Sequence, residues 1–241
     1  MEKVKRVMLI YPNQRWLKED LTTTWNLTPY SICLLAAMIK DIVNVKILDA
    51  QFYNLSRNDF KNEIKKFNPD LVGISLLSTE YAAIGDIATN DIKEVNKNIT
   101  VVIGGVHVTT TYNQVMKNPN IDYAIYGEGE YVLPALIKFL NGQAFYPSKG
   151  LIKKKNGKLE VLPQAFVQDL DLLPLPAYDL VDYSAYSSTV PRYGLDSPSA
   201  LPYARFPTTR GCPTGCSFCQ VATVSGKKIR MRSAANVIKE L

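Results

Sequence analysis

Short apolar runs alternate with helix-length stretches from Val4 to about Gly142, and this alternation constrains the fold more than any other feature of the chain. The runs Val4–Tyr11, Val45–Asp49, Leu71–Leu76, Thr100–Ile103 and Tyr123–Tyr126 have the length and β-branched content of buried strands. Pro29–Ile42, Arg57–Phe67, Glu80–Asn96, Tyr112–Lys117 and Glu130–Leu140 carry helical spacing or good helix formers. Asn68-Pro69-Asp70 and Asn118-Pro119-Asn120 punctuate the chain before strands. Strands separated by helices imply βαβ units, whose right-handed crossovers give a parallel sheet covered on both faces. The reading is an α/β, doubly wound domain of flavodoxin-like order over residues 1–145. Ligands of such sheets sit beyond the carboxyl ends of the strands.

A second region begins at about residue 146. Leu151-Ile152 and Leu159-Glu160-Val161 flank Asn156-Gly157, the signature of a β-hairpin with a tight turn. A Pro- and Asp-rich tract follows, from Gln168 through Pro174 and Pro176 to Pro202, and reads as a linker laid on a surface. The hairpin and linker together occupy 146–202. Residues 203–241 form a third region: a strand-like run from Ala204 to Thr209, a cysteine-rich loop, and an amphipathic stretch from Ser233 to Leu241 with Ser233 as N-cap.

Three of the four cysteines fall in that loop, Arg210-Gly-Cys212-Pro-Thr-Gly-Cys216-Ser-Phe218-Cys219. Thiols this close on a Gly- and Pro-containing loop read as ligands of one soft metal centre. Three is one fewer than a closed cluster or structural zinc site uses, so one coordination position is left for a substrate. The competing reading is a zinc loop completed from elsewhere; the single His, His107, is far upstream and no second Cys pair exists.

This C-x3-C-x2-C loop, with an aromatic residue before its last Cys, resembles the signature of radical S-adenosylmethionine enzymes. The resemblance implies that Cys212, Cys216 and Cys219 bind three irons of a [4Fe-4S] cluster. The fourth iron would hold S-adenosylmethionine, and Phe218 would lie against its adenine. It also implies an external electron donor of the flavodoxin or ferredoxin type and a small-molecule substrate. In that family the loop follows the first strand of a partial (β/α) barrel, so residues 203–241 are expected to begin such a barrel. A chain with one strand and one helix of it is expected to be inactive alone.

Small residues mark two strand ends in the first domain: Gly73-Ile-Ser75-Leu76-Leu77 and Ile103-Gly104-Gly105. Adjacent glycines let backbone approach a bulky group, although Gly-Gly after a strand is often turn chemistry alone. Beside the cysteine loop, the arrangement looks like the cobalamin-binding domain that precedes the radical domain in one large group of these enzymes. The resemblance implies that Ser75 and Leu77 belong to the Ser-x-Leu element. Ser75 would contact the dimethylbenzimidazole tail and Gly104-Gly105 would make room for it. Tyr126-Gly-Glu128-Gly-Glu130 also resembles the strand-five exit of that group; read from the residues, it is a glycine turn whose acids favour the next helix. The loop after strand one, Tyr11-Pro-Asn13-Gln14-Arg15-Trp16, lacks the His that binds cobalt from below in many such domains. His107 is therefore not expected to be a cobalt ligand. Trp16 and Trp25 could cover a ligand or cap the core, and Cys33 lies on an apolar helix face as a small buried hydrophobe.

The implied enzyme is a cobalamin-dependent methyltransferase, or a related C–C bond-forming or rearranging enzyme. Two readings compete: a cobalamin or nucleotide module with a redox or structural metal loop, and a docking domain that binds nothing. The net charge of +6 is local, in Lys149–Lys158 and Lys227–Arg232, and no nucleic-acid motif accompanies it. No apolar run approaches the roughly 20 residues of a membrane span, and the N-terminus lacks signal-peptide features. A thiol-rich metal loop suits a reducing, cytoplasmic setting.

Overall fold

The computed structural model describes residues 3–17, 28–187 and 206–241. Trp25 and most of the run from Ser187 to Arg205 lie outside the described residues. The described chain has nine strands and eight α-helices, joined in places by single 3-10 turns. The first five strands are β1 (Arg6–Tyr11), β2 (Asn44–Asp49), β3 (Leu71–Ser75), β4 (Thr100–Gly104) and β5 (Tyr123–Ile125). They are parallel in the order β2-β1-β3-β4-β5, which is the flavodoxin-like order. Strands β6 (Leu151–Lys155) and β7 (Lys158–Val161) form the expected hairpin around Asn156 and Gly157, both at positive φ. The hairpin does not stand apart: β6 pairs antiparallel with β5 and completes a seven-stranded sheet.

Helices cover both faces, and the alternation along each strand explains why. On β4, Val101 and Ile103 point into one core with Phe60, Ile64, Ala88 and Ile92 of the helices α2 (Arg57–Phe67) and α3 (Ala82–Val95). Val102 points to the other core, with Ile32 and Ala36 of α1 (Tyr30–Ile39) and Leu133 and Leu136 of α5 (Val132–Leu140). Ser56 caps α2 by accepting from the Asp59 N–H at 3.1 Å. Of the two roles open to Trp16, the core cap is the one seen. Trp16 packs edge-on against Phe60 with ring centroids 4.9 Å apart and donates to the Leu55 carbonyl, so it closes the core. Cys33 is fully buried, and desolvation pushes its thiol up to about 12.

The fourth helix differs from expectation. It spans Val106–Val115, not Tyr112–Lys117, and starts at the glycine turn that ends β4. Its β-branched run hides it in the sequence. Thr110 and Thr111 bond back to the Val106 and His107 carbonyls at 3.0 and 2.7 Å, a pattern that bends helices, and Thr111 leaves helical geometry.

The Pro- and Asp-rich tract also needs correction, because it is more than a surface linker. Leu170, Ala177 and Tyr186 are all buried. Tyr186 lies on the short α6 (Tyr183–Ser187), stacks on Phe52 at 3.8 Å and donates to Asp49 at 2.8 Å. The last region holds β8 (Thr209–Arg210), α7 (Val221–Ser225), β9 (Arg230–Met231) and α8 (Ala234–Ile238). Strands β8 and β9 pair antiparallel, and Ser233 caps α8 as expected. The strand expected from Ala204 is limited, within the described residues, to Thr209 and Arg210.

Candidate cofactor site

Two joined cavities open at the carboxyl ends of β1, β3 and β4, where a doubly wound sheet binds its ligands. The deeper one, about 560 Å³, is a slot between the sheet and helices α1 and α5. Its walls are apolar, with Leu9, Leu35, Val102, Ile125 and Leu133 among them. Three glycines form much of its floor. A Cβ on Gly73 would stand 2.8 Å from Leu9, one on Gly129 would stand 3.2 Å from Leu35, and one on Gly104 would stand 3.5 Å from Ile125. Side chains there would narrow the slot, which the glycines leave open. In the sequence Gly73 stands only as a small residue near a strand end and Gly129 only as part of a glycine turn. A glycine inside a buried strand, as Gly73 is, was the available signal.

Gly104 and Gly105 both line the slot, and Gly105 has a second task. Gly104 faces the slot. Gly105 has φ +102°, and a Cβ there would come within 2.3 Å of the Leu76 carbonyl oxygen. It is needed so that the end of β4 can turn against the end of β3.

The outer cavity, about 700 Å³, lies over β1, β2 and β3 and is lined by Tyr11, Gln14, Asp49, Gln51, Ser75 and Tyr81. Ser75 and Leu77 line both cavities, as does Ser31. The Tyr11 hydroxyl bonds the Ser31 hydroxyl, with the Ser75 hydroxyl a further partner, and burial pushes the phenol up to about 12. Gln14 and Gln51 are buried, with Gln14 Oε1 and Gln51 Nε2 lacking hydrogen-bond partners among the described residues. His107 stands apart: its Nδ1 meets Thr111 Oγ1 at 2.9 Å, burial lowers its pKa, and it lines neither cavity.

Burial raises the Asp49 carboxyl from 3.8 to about 6, against bonds from the Phe52 N–H and the Tyr186 hydroxyl. The folded chain therefore holds this proton more tightly than the unfolded one. The resulting stabilisation is whole below pH 3.8 and lost as pH rises through about 6. It amounts to something on the order of 3 kcal/mol. Urea unfolding of the wild type and of an Asp49→Asn variant should show the wild type gaining on the variant as pH falls from about 7 to 4.5. A difference independent of pH would contradict this account of Asp49.

The cysteine loop rests on the slot. Cys212 is held by its N–H to the Gly226 carbonyl at 3.0 Å, and the Cys219 N–H reaches the Cys216 carbonyl at 3.1 Å. All three thiols are free, Cys216 is exposed, and Phe218 is 87% exposed. Among the described residues, no group of three His, Cys, Asp or Glu side chains is arranged to hold a metal ion. The loop thus carries the three thiols without gathering them. Arg210, just before the loop, lines the slot and meets Glu130 at 2.7 Å and Glu128 at 3.5 Å. Arg230, just beyond it, makes a two-pronged bond to Glu128 at 2.7 and 2.8 Å. From the sequence alone the acids of the strand-five exit read as helix-start residues. They are ion-pair partners of two arginines roughly 80 to 100 positions away, which no local pattern reveals.

Residues 22–137 match the B12 binding domain family. An uncharacterized methyltransferase of Pyrococcus horikoshii is 34% identical over 247 residues, covering all of this chain and 50% of its own length. The anaerobic magnesium-protoporphyrin IX monomethyl ester cyclase of Rubrivivax gelatinosus is 28% identical, over 98% of this chain and 42% of its own. The chain belongs to the family of this Pyrococcus methyltransferase and carries a B12-binding domain. It spans about half the length of such curated relatives, or less. Among solved structures, the cobalamin-dependent S-adenosylmethionine radical enzyme OxsB, with aqua-cobalamin and S-adenosylmethionine bound, superposes with a TM-score of 0.76. That match has 18% identity and covers 98% of this chain and 31% of OxsB. TsrM from Kitasatospora setae, with cobalamin and a [4Fe-4S] cluster bound, gives a TM-score of 0.69 at 21% identity, over 98% of this chain and 45% of its own. At these identities the likeness is one of fold. No helix among the described residues is long and apolar enough to cross a membrane.

Proposed function

We propose that this chain is the cobalamin- and cluster-bearing part of a radical S-adenosylmethionine enzyme that methylates a small molecule or carries out a related C–C bond-forming reaction. The observation that carries the reading is the glycine-floored apolar slot opening beside the cysteine loop. A planar heterocycle such as the dimethylbenzimidazole tail of cobalamin fits such a slot in shape and polarity. Gly104 leaves it room, the Ser75 hydroxyl and Leu77 stand at its rim, and Gly105 sets the turn that shapes that rim. The corrin would then lie over the outer cavity, with no His from the β1 loop beneath it.

Cys212, Cys216 and Cys219 would hold a [4Fe-4S] cluster. Three free thiols on glycine-bearing turns are the donor set such a cluster takes, and the loop would close around it. When bound, cluster, S-adenosylmethionine and cobalamin supply one-electron chemistry and a transferable methyl group, while the protein orients them and excludes water. Phe218 is free to lie against the adenine. An electron donor of the flavodoxin or ferredoxin type and a cytoplasmic, reducing setting complete the proposal.

A cobalamin module whose loop binds no cluster is the second reading, favoured by the ungathered thiols. Anaerobic reconstitution with iron and sulfide separates the two. The proposal predicts a brown chain with about four irons, and a Cys216→Ala variant that loses the colour. A colourless chain, or one that binds zinc in preference, supports the module.

A further inference from the structure

Two arginines face each other across the short ribbon that closes the cysteine loop. Arg210 of β8 and Arg230 of β9 are direct cross-strand partners. Like charges in that arrangement repel and would open the ribbon. Both are largely buried, with side chains only 16% and 4% exposed, so water does little to screen them. What offsets the repulsion comes from the first domain. Glu128 touches both guanidiniums, Glu130 adds a second contact to Arg210, and these acids are themselves only 9% exposed. Burial opposes the Arg210 charge, yet Glu130 and Glu128 outweigh it and hold its pKa above the ordinary value. Arg230 also donates to the Ser225 carbonyl at 2.6 Å and to the Val167 carbonyl, which ties α7 and the linker to the same cluster.

The cluster has a second face. Glu128, Glu130 and Arg210 are also walls of the slot. One set of four charged side chains, three of which line the ligand space, therefore clasps both ends of the segment bearing Cys212, Cys216 and Cys219. The geometry points to Glu128 and Glu130 as positioning residues that couple the two sites. A ligand filling the slot orders the carboxylates, and these hold the ribbon shut and the thiol loop in place. By reciprocity, an ordered loop tightens the slot. The inference rests on the slot being the cobalamin site.

The test uses the whole chain, reduced and kept free of oxygen, with cyanocobalamin as the slot ligand. Alkylation of the four cysteines by iodoacetamide is followed by peptide mass spectrometry, with buried Cys33 reporting global opening. Saturating cyanocobalamin should slow alkylation of Cys212 and Cys219 by about tenfold. In a Glu128→Gln/Glu130→Gln variant, cyanocobalamin should leave those rates within about twofold, because the clasp is no longer tied to the slot. A merely structural role would speed alkylation in the variant while leaving the ligand-dependent ratio as in the wild type, and that result overturns the inference. So does protection that survives in the variant, which would mean the ligand covers the thiols directly. Should the double variant not fold, the single Glu130→Gln variant, which keeps Glu128 on both arginines, takes its place in the same comparison, and unchanged wild-type rates on binding refute the coupling by themselves. If cyanocobalamin does not bind at all, the cobalamin reading fails and the coupling with it, whereas binding without protection sinks only the coupling.

Discussion

A Gly105→Ala chain is expected to lose on the order of 4 kcal/mol of stability, a large share of the roughly 5–15 kcal/mol that holds a typical domain folded. Two effects add. Gly105 has φ +102° and ψ −172°, a region that L side chains avoid. Its Cβ would also meet the Leu76 carbonyl oxygen at 2.3 Å and the Leu76 nitrogen at 2.9 Å. That neighbour is backbone and cannot swing aside. It is fixed further by the Leu76 N–H to the Gly104 carbonyl at 2.9 Å. The variant must therefore separate the ends of β3 and β4, where the slot begins. Gly142 is the control, since it too has positive φ, +69°, but a Cβ there meets nothing within 4 Å. Gly142→Ala should cost about 1 kcal/mol. Urea unfolding of both variants checks the pair, and equal midpoints would show that the contact with Leu76 is not limiting.

Gly104→Phe should do the reverse, leaving the fold and emptying the function. The backbone at Gly104 is ordinary, and a Cβ meets only Ile125, at van der Waals distance. The added ring has one place to go, the slot that Gly104 faces between the sheet, α1 and α5. It would occupy the volume proposed for the cofactor tail. Loss of one buried aromatic group's worth of contact, about 2–3 kcal/mol, should weaken cyanocobalamin binding about 100-fold. Thermal unfolding should move far less than for Gly105→Ala. Equilibrium dialysis checks the affinity, and unchanged binding would place the tail elsewhere.

These neighbours look alike in the sequence and differ in three dimensions, which marks how far reading from sequence reaches. Strand and helix periodicity carried the parallel sheet, its order and the hairpin, because burial on both faces writes itself as apolar runs. The start of α4 was hidden by Val106, Val108 and three threonines, residues whose local preference opposes a helix that packing nonetheless holds. The linker read as surface because Pro and Asp dominate it, while its buried anchors, Ala177 and Tyr186, are single residues without a period. Candidate residues fared similarly. Spacing alone marks Cys212, Cys216 and Cys219 as candidate ligands, and the family resemblance marks Ser75, Leu77 and Gly104; the structure sets the second group around the slot. Gly73, Gly129 and the clasp of Glu128 and Glu130 on Arg210 and Arg230 depend on contacts far apart in the chain.

The account turns on the slot accepting the tail of a corrinoid. Equilibrium dialysis of the chain against cyanocobalamin and against cobinamide, the same ring without its nucleotide tail, tests this most directly. The account predicts one saturable site with cyanocobalamin bound about 100-fold more tightly. Equal affinities, or no saturable binding of either, would contradict it.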